Sequence, residues 1–290
     1  MPISAEQERA FFDNYYRKLL SYPDHALAGN RAAFERFLCD PAHPFYERRR
    51  LYGLLLEELC SVPLENLSVL DYGCGPGEWG VMMATEGARV ALLDLSPVAI
   101  ELGLKRARAN GVADRVRGFA RDASDLSCFT DAEFDLVFGG AALHHTLKYP
   151  NALAELARVL KPAGRLVLAE TYGNNPLLNF ARRLRARLSG EPAEQGEEII
   201  LGEREIVLLR RHFSSVEVTP VNLLAMAKRL FRGRFRKRRV RKVLGVLEKA
   251  DDALLRMAPR LRRYCGEALI VATGVRANRP ERSLRVGGSV

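Results

Sequence analysis

The middle of this chain alternates short apolar runs with helix-compatible segments, and this alternation constrains the fold more than any other feature. The apolar runs have the length of buried strands and span residues 68–72, 88–94, 116–121, 134–140 and 164–170. Helix-compatible stretches separate them, and two of these end at glycine-containing stop signals. Five β–α units in succession predict a parallel sheet covered by helices on both faces.

The flanking sequences add further helices and two more strands. Residues 5–60 have helical periodicity interrupted by prolines. Strand candidates at 214–220 and 267–274 flank a long basic helical segment, 222–264, and a polar stretch at 189–198 predicts an exposed loop. The chain is thereby divided into an N-terminal helical cap (1–60), an α/β core (61–180), a C-terminal part that completes the sheet and carries a basic helical lid (181–275), and a disordered tail (276–290).

Composition excludes several classes of protein. No run of 18 or more apolar residues occurs, which excludes a membrane-spanning helix, and the acidic N-terminus does not have the pattern of a signal peptide. The five cysteines are odd in number and never spaced as CxxC, which favours reduced thiols over disulfides or a zinc site. We therefore expect a cytoplasmic protein without a metal.

The net charge of +10 is concentrated in one part of the chain. Residues 1–180 contain 19 Lys and Arg against 23 Asp and Glu (net −4), whereas residues 181–290 contain 26 against 12 (net +14). Ten of the fifteen residues in 228–242 are basic, with large apolar residues interleaved. This pattern suits peripheral contact of residues 222–247 with an anionic membrane. It equally suits a phosphate-rich partner, an acidic carrier protein, or a solvated lid over a substrate pocket.

A glycine-rich turn follows the first predicted strand. The strand ends in Asp71, and Gly73, Gly75 and Gly77 precede the next predicted helix. Glycine allows positive φ angles and close approach of the backbone to a ligand, and the helix N-terminus beyond it offers free N–H donors. The stretch therefore predicts a ligand-binding loop at the end of this strand.

Two kinds of ligand fit such a loop. Gly75, Gly77 and Gly80 satisfy GxGxxG, the dinucleotide pattern, which would make the chain a nicotinamide-dependent oxidoreductase. Asp71 argues against this reading, because a carboxylate at the mouth of the loop repels pyrophosphate but pairs with an ammonium group. A ligand with an amino group, a carboxylate and no phosphate fits better, and the amino-acid end of S-adenosylmethionine is such a ligand.

A second acidic residue ends the next predicted strand. Asp94 lies 23 residues beyond Asp71, and a carboxylate at this position can accept hydrogen bonds from both hydroxyls of a ribose. The alternative is a purely local role, because Ser96 and Pro97 form a good helix start and an acidic residue is favourable at a helix N-terminus.

Five motifs in order and at the right spacing make the chain similar to the class I S-adenosylmethionine-dependent methyltransferases that act on small molecules. The motifs are LDYGCGPG, LDLSP, RDASDL, FDLVFGGAALHHT and ALAELARVLKPAGRLVLAE, within about residues 68–170. The resemblance implies an α/β fold with a seven-stranded Rossmann-like methyltransferase sheet, N-terminal helices and a basic helical insertion before an antiparallel last strand. Ala163 stands where the family usually has glycine, in a turn remote from the chemistry.

The resemblance also implies which residues bind S-adenosylmethionine as the cofactor. Those beside the methionine moiety would be Asp71, Gly73, Cys74 and Gly75. Those at the ribose and the adenine edge would be Asp94 and Leu95, and those at the adenine ring Asp122 and Ala123. Gly139 and Gly140 would lie beside the sulfonium end.

Methyl transfer to a hydroxyl requires an aligned acceptor and removal of a proton. His144 and His145 follow the fourth predicted strand, at the edge where open α/β sheets bind ligands, and histidine is suited to proton removal near neutral pH. Glu170 ends the fifth predicted strand and projects toward the same edge. We predict that His144 is the base and Glu170 its partner, with His145 as a second candidate. The alternative is that both histidines are structural or line the pocket.

The N-terminal cap and the acceptor are less constrained by the sequence. Tyr46 is predicted to pack on the cofactor and Arg49 to meet its carboxylate, although both could simply pack a helix or face water. A small, lipophilic acceptor that is methylated on oxygen is favoured. The alternative is an RNA- or carrier-directed methyltransferase that uses residues 228–242. GGAA after the fourth strand, in place of an Asn/Asp-Pro-Pro-aromatic tetrapeptide, makes nucleic acid the less favoured acceptor.

Overall fold

The computed structural model describes residues 5–173, 175–176, 178–180 and 200–276. The predicted loop at 189–198 lies outside these residues, as does the predicted tail beyond residue 276. No helix in the described part of the chain is long and apolar enough to cross a membrane.

The N-terminal part consists of short helices separated by prolines, as predicted. The α-helices are α1 (Ala5–Arg17), α2 (Arg31–Cys39) and α3 (Arg49–Leu59), and two 3₁₀ helices span Asp24–Leu27 and Pro44–Arg48. The side chain of Asn30 caps α2 by accepting a hydrogen bond from the backbone N–H of Ala33 at 2.9 Å. Pro44 begins its 3₁₀ helix at the position where a missing N–H is tolerated.

All seven predicted strands are present and form one sheet. They are β1 (Ser68–Tyr72), β2 (Arg89–Asp94), β3 (Val116–Ala120), β4 (Phe134–Gly140), β5 (Leu160–Thr171), β6 (Phe213–Val221) and β7 (Glu267–Val275). Their order across the sheet is β3-β2-β1-β4-β5-β7-β6. The neighbours from β3 to β5 are parallel, whereas β7 is antiparallel to both β5 and β6. The predicted Rossmann-like fold with an antiparallel last strand is confirmed.

The helices of the core and of the C-terminal part complete the two outer layers. They are α4 (Glu78–Thr85), α5 (Pro97–Ala109), α6 (Leu143–Thr146), α7 (Ala152–Val159), α8 (Glu203–His212) and α9 (Arg238–Met257). The predicted basic segment at 222–264 is helical, although it is divided into α9 and two 3₁₀ helices, Leu224–Phe231 and Pro259–Tyr264. Ser96 caps α5 through the backbone N–H of Ala99 at 3.1 Å, as its sequence predicted.

Two hydrophobic cores lie on the two faces of the sheet. Successive side chains of a strand point to opposite faces, so Val69 of β1 packs with α2, α3 and α4, whereas Leu70 packs with α7 and α8 on the other side. The strand order reverses between β1 and β4, because β2 and β5 continue the sheet in opposite directions. A crevice therefore opens beyond the carboxyl ends of these two strands, where open α/β sheets bind ligands.

Candidate cofactor-binding site

A cavity of about 310 Å³ lies at this reversal point, beyond the carboxyl ends of β1, β2 and β4. Its floor is formed by the strand ends and the loops that follow them: Asp71, Gly73, Cys74, Gly75, Pro76, Asp94, Leu95, Asp122, Ala123, Gly140, Ala141 and Ala142. Its roof is formed by three residues of α1: Glu8, Phe12 and Tyr16. An aromatic wall is formed by Phe45, Tyr52, Trp79 and Phe138. The remaining lining residues are Glu78, His145, Thr146, Lys148 and Tyr149.

The glycine-rich loop has the backbone conformation that its sequence predicted. Gly73, Gly75 and Gly77 have φ angles of 68°, 50° and 71°, in the left-handed region that side chains disfavour. A Cβ on Gly77 would lie 2.8 Å from the Cα of Gly103 in α5. The loop therefore passes close to α5 as well as turning sharply into α4.

Asp94 anchors this loop from the end of β2. Its Oδ2 accepts a hydrogen bond from the Gly75 N–H at 2.8 Å, and its Oδ1 accepts one from the Ser96 N–H at 2.9 Å. Burial raises the pKa of this carboxyl, although the two backbone N–H groups act in the opposite direction. An ionised carboxylate can accept about four hydrogen bonds, so Asp94 retains capacity for a ligand hydroxyl.

Asp71 lies beneath the loop and is almost fully buried, yet it contributes to the cavity floor. Its Oδ2 accepts a hydrogen bond from the Gly80 N–H at 2.8 Å. Burial raises the pKa of Asp71 to about 8, because the ionised carboxylate loses its hydration and the single backbone N–H does not compensate for that loss. A cationic group in the cavity would favour the ionised form.

The hydrogen bonds within the loop distinguish between the two ligands predicted from its sequence, a dinucleotide and S-adenosylmethionine. The N–H groups of Gly75 and Gly80 already serve Asp94 and Asp71, and the Gly77 N–H serves the Cys74 carbonyl at 3.0 Å. A dinucleotide pyrophosphate needs such N–H groups to be available. The arrangement thus disfavours a pyrophosphate and leaves two acidic side chains at the floor.

The roof was not predicted from the sequence. Glu8, Phe12 and Tyr16 recur every four residues and so share the inner face of α1. Tyr16 reaches the glycine loop, since a Cβ on Gly75 would lie 2.9 Å from the Tyr16 hydroxyl. On the same helix, Asp13 contacts the Ser96 hydroxyl at the start of α5. The density of aromatic residues between positions 11 and 16 was the available signal, but it shows only that the helix is amphipathic.

Two histidine–carboxylate pairs lie on adjacent residues of α6. The Nδ1 of His145 lies 3.1 Å from Oε1 of Glu8, and this histidine lines the cavity. The hydrogen bond with His145 is the largest influence on the pKa of Glu8, which is lowered despite burial. The loop before α6 is held in a rare conformation, because Ala141 has a φ of 58°.

The predicted pair of His144 and Glu170 is also in contact, at 2.8 Å between Nδ1 and Oε2. Both residues are buried, and neither is among those that line the cavity. The other oxygen of Glu170 accepts hydrogen bonds from the N–H groups of Ala142 and Leu143 at 2.9 and 2.8 Å. Glu170 therefore fixes the start of α6 to the end of β5.

Comparison with known proteins finds a family match for the part of the chain that forms the cavity floor. Residues 69–164, which contain the glycine loop, Asp94, Asp122 and both histidines, match the family model of a methyltransferase domain. This part of the chain therefore matches a methyltransferase domain. The resemblance inferred from the five sequence motifs is confirmed for the residues that this match covers.

The chain is also similar to individual methyltransferases. The chain is 31% identical over 174 residues to methyltransferase GfsG of Streptomyces halstedii, covering 57% of this chain and 62% of that protein. It is 39% identical over 109 residues to a demethylmenaquinone methyltransferase of Lactiplantibacillus plantarum, covering 37% and 46%. The matches thus span less than two thirds of either relative. The structure of geranyl diphosphate C-methyltransferase from Streptomyces coelicolor A3(2) shares the fold, with a TM-score of 0.56 and 20% identity over 92% of this chain and 98% of that one.

Most residues predicted to bind the cofactor line the cavity, but three do not. Gly139 and Gly140 are successive strand residues and so face opposite sides of the sheet. Only Gly140 reaches the cavity, whereas a Cβ on Gly139 would meet Leu168 at 3.0 Å. Tyr46 follows Phe45 in a 3₁₀ helix, where successive residues point about 120° apart, and it faces away from the cavity toward Phe235 at a centroid distance of 5.7 Å. Arg49 pairs with Glu248 of α9.

The basic segment does not cover this cavity, contrary to the prediction that it forms the lid. None of the described residues in 222–264 lines the cavity, which is covered by α1 instead. The segment packs against the N-terminal helices through Arg49–Glu248, Arg232–Glu47 and the contact of Arg50 with Asp252. Opposite charges on α9 and α3 hold it beside the cavity.

Proposed function

We propose that this chain is an S-adenosylmethionine-dependent methyltransferase that acts on a small acceptor. One observation carries the proposal. The glycine loop and three acidic residues at or just beyond strand ends, Asp71, Asp94 and Asp122, line the same cavity at the edge of the sheet. These residues share one floor although they come from three separate β–α connections. The residues of this floor lie within the part of the chain that matches a methyltransferase domain.

The residues present fit this cofactor. Asp71, Gly73 and Gly75 would surround the methionine end, Asp94 would accept the ribose hydroxyls, and Asp122 and Ala123 would border the adenine. The cavity volume of about 310 Å³ is at the lower end of the range for small-molecule sites, which suits one nucleoside-sized ligand. When bound, S-adenosylmethionine supplies an activated methyl group.

We propose that His145, rather than His144, removes the acceptor proton and that Glu8 orients it. His145 lines the cavity and its Nδ1 contacts Glu8, which leaves the other ring nitrogen for an acceptor hydroxyl. Glu8 lies on α1, so the base and its partner come together only when α1 packs over the floor. His144 and Glu170 would instead hold α6 in place.

The aromatic wall supports the proposal of a lipophilic acceptor. Phe45, Tyr52, Trp79 and Phe138 present apolar ring surface beside the floor, which favours a lipophilic acceptor. A histidine able to take a proton favours methylation on oxygen. Comparison of host metabolites with and without the protein, seeking a mass difference of about 14 Da for one added methylene, would identify the acceptor.

Calorimetric titration tests the cofactor directly. We expect S-adenosylhomocysteine to bind the purified chain and NADH not to bind. The reverse result would favour the dinucleotide reading and overturn the proposed function.

We also propose peripheral contact between α9 and an anionic membrane. Val243, Val246 and Met257 lie on one face of α9 and are 46%, 65% and 84% exposed, and exposed basic residues such as Arg239 and Lys242 flank them. Vesicles of phosphatidylcholine should bind the chain only when phosphatidylglycerol is added, and Val246→Asp should abolish this binding. Salt-sensitive retention of RNA without any vesicle binding would favour the RNA-directed alternative.

A further inference from the structure

A second group of charged residues lies beside the methyltransferase cavity and is not used by the function proposed above. At its centre is Glu267, the first residue of β7, which is 1% exposed. Its carboxylate accepts hydrogen bonds from Lys228 Nζ at 2.6 Å, Asn222 Nδ2 at 2.7 Å and Arg48 Nε at 3.2 Å. Arg48 and Lys228 belong to two different 3₁₀ helices, so the group joins the N-terminal helices to the basic segment.

This group contains more positive than negative charge. Arg229 and Arg232 lie next to Lys228, and the Glu47 carboxylate pairs with Arg232 at 2.8 Å. Four cations (Arg48, Lys228, Arg229 and Arg232) therefore face two carboxylates, those of Glu47 and Glu267. Glu170 also acts on Arg48, but its oxygens already serve His144 and the N–H groups of Ala142 and Leu143.

The excess of positive charge is partly buried. Burial lowers the pKa of Lys228 even though Glu267 opposes the change. Burial acts to raise the pKa of Glu267, but Lys228 and Arg48 outweigh it and lower that pKa to about 2. Lys228 and Arg48 thus keep the central carboxylate of Glu267 ionised. The cations around it carry more N–H donors than Glu47 and Glu267 can accept.

Two guanidinium nitrogens in the group have no hydrogen-bond partner. Arg48 Nη2 and Arg229 Nε are both buried, and neither has an acceptor within the described part of the chain. Leaving a buried donor unpaired costs roughly 1–3 kcal/mol, and more for a charged group. Two such donors around one carboxylate indicate a site for an acceptor that the described residues do not supply.

The ring of Tyr52 contacts the group on one side and lines the cavity on the other. Arg48 Nη1 lies 3.5 Å from the Tyr52 hydroxyl, and its guanidinium carbon lies 5.3 Å from the centroid of the same ring. Tyr52 itself belongs to the aromatic wall of the cavity. A molecule that lies against this wall would bring one end close to Arg48.

We propose that Arg48, Lys228 and Arg229 bind the phosphoryl or carboxylate group of an anionic acceptor, whose apolar part lies along Tyr52 toward the cavity. Guanidinium groups suit such anions because their planar N–H donors match two anionic oxygens at once. The anion would accept hydrogen bonds from Arg48 Nη2 and Arg229 Nε, which lack partners among the residues that the structure describes. The role as an acceptor site depends on the proposed methyltransferase function, whereas the anion site itself does not.

Inorganic phosphate and pyrophosphate are suitable probes, titrated calorimetrically against a sodium chloride control of equal ionic strength. We expect both to bind the wild-type chain, and Arg229→Gln to weaken binding at least about tenfold through loss of a charge-assisted contact. The matched control is Arg260→Gln, which removes the same charge from an exposed position of the 3₁₀ helix Pro259–Tyr264 and should leave binding unchanged. No binding to wild type, or equal weakening by both variants, would overturn the site.

Thermal unfolding separates a binding role of Arg229 from a structural one. Because its buried Nε has no partner in the described ranges of the chain, Arg229→Gln should leave the unfolding temperature of the free protein unchanged or raise it. Pyrophosphate should then raise the unfolding temperature of wild type but not that of the variant. A variant that is less stable without ligand and responds normally to pyrophosphate would contradict the proposal.

Two further measurements identify the source of the anion and distinguish failure of the anion site from failure of the proposed function. Arg229-dependent binding to phosphatidic acid vesicles would support the site and assign it to a lipid headgroup. Arg229-dependent binding of soluble pyrophosphate alone would support it and assign it to a soluble acceptor. S-adenosylhomocysteine is titrated in the same samples: binding of pyrophosphate without it contradicts only the cofactor proposal, and the reverse result contradicts only the anion site.

Discussion

The floor and the roof of the cavity are built by different kinds of interaction. The floor is held by strand-end carboxylates that accept hydrogen bonds from backbone N–H groups of the adjoining loops, as when Asp94 accepts the N–H groups of Gly75 and Ser96. The roof is held by side chains that meet across long sequence separations, such as Glu8 with His145 and Asp13 with Ser96. Phe11 and Tyr15 on the outer face of α1 remain 49% and 52% exposed.

This difference indicates that the floor binds the cofactor and that the roof controls access to it. A floor fixed by backbone geometry is organised before the cofactor binds, so a change there should alter folding or cofactor affinity strongly. A roof that rests on few partly exposed contacts can open for the acceptor, and changes there should have smaller effects on cofactor affinity. Substitutions in each region, with matched controls, test whether floor and roof differ in this way.

The largest effect is expected for Gly77→Ala in the floor. The new Cβ would lie 2.8 Å from the backbone of Gly103 at a φ of 71°, so we expect the free energy of unfolding to fall by about 3 kcal/mol. Gly111→Ala is the control, because Gly111 has the same φ of 71° and no heavy atom within 4 Å of its Cβ position. Its cost should be about 1 kcal/mol, from backbone strain alone. Equal losses in urea unfolding of the two variants would show that close approach to α5 is unimportant.

Asp94→Ala should have the next largest effect. It removes the acceptor of two backbone N–H groups and the proposed partner of the ribose hydroxyls, and each charge-assisted hydrogen bond contributes about 1.5–3 kcal/mol. We therefore expect the Kd for S-adenosylhomocysteine to rise about 100-fold in calorimetric titration. Asp114→Ala changes an exposed carboxylate and should leave the Kd unaltered. A change below about threefold for Asp94→Ala would place the ribose elsewhere.

The floor could be predicted from the sequence because its chemistry is local. Asp71 and Asp94 end apolar runs of strand length, and parallel strands bring their carboxyl ends to one edge of a sheet. The φ angles of Gly73, Gly75 and Gly77 follow from the same short motif. The prediction failed for Gly139, because successive strand residues face opposite sides of the sheet and only Gly140 faces the cavity.

The roof could not be predicted because its contacts depend on how distant segments pack. Nothing near Glu8 in the sequence indicates that it meets His145, 137 positions later. The choice between His144 and His145 depends on the orientation of a single turn of helix. The same reasoning applies to Tyr46 and Arg49, whose partners Phe235 and Glu248 lie in the basic segment.

Asp71 should give the floor a dependence on pH. Its pKa of about 8 in the folded protein exceeds its ordinary value, so the folded state holds more protons and the free energy of unfolding decreases as pH rises from about 4 to about 8. Asp71→Asn should lack this component. Binding of the ligand ammonium should release a proton from wild type at pH 7 and none from the variant, whose affinity should be about tenfold lower at pH 8. Calorimetry in two buffers with different ionisation enthalpies measures the release; equal release by both proteins would contradict the role of Asp71.

The smallest effect is expected in the roof, for Glu8→Gln. His145 lowers the pKa of Glu8, so the stabilising contact is present above the ordinary Glu pKa and is lost as pH falls through the lowered value. At pH 7 the variant should therefore show amide hydrogen exchange in α1 that is about two- to fivefold faster, in line with the loss of one partly exposed hydrogen bond, and this difference should disappear in acid. Glu6→Gln, an exposed change on the same helix, should leave exchange unaltered. Since Glu8 belongs only to the roof, its Kd for S-adenosylhomocysteine should change far less than that of Asp94→Ala. An equal loss of affinity in the two variants would mean that roof and floor form one cooperative unit, and that α1 does not open independently of the floor.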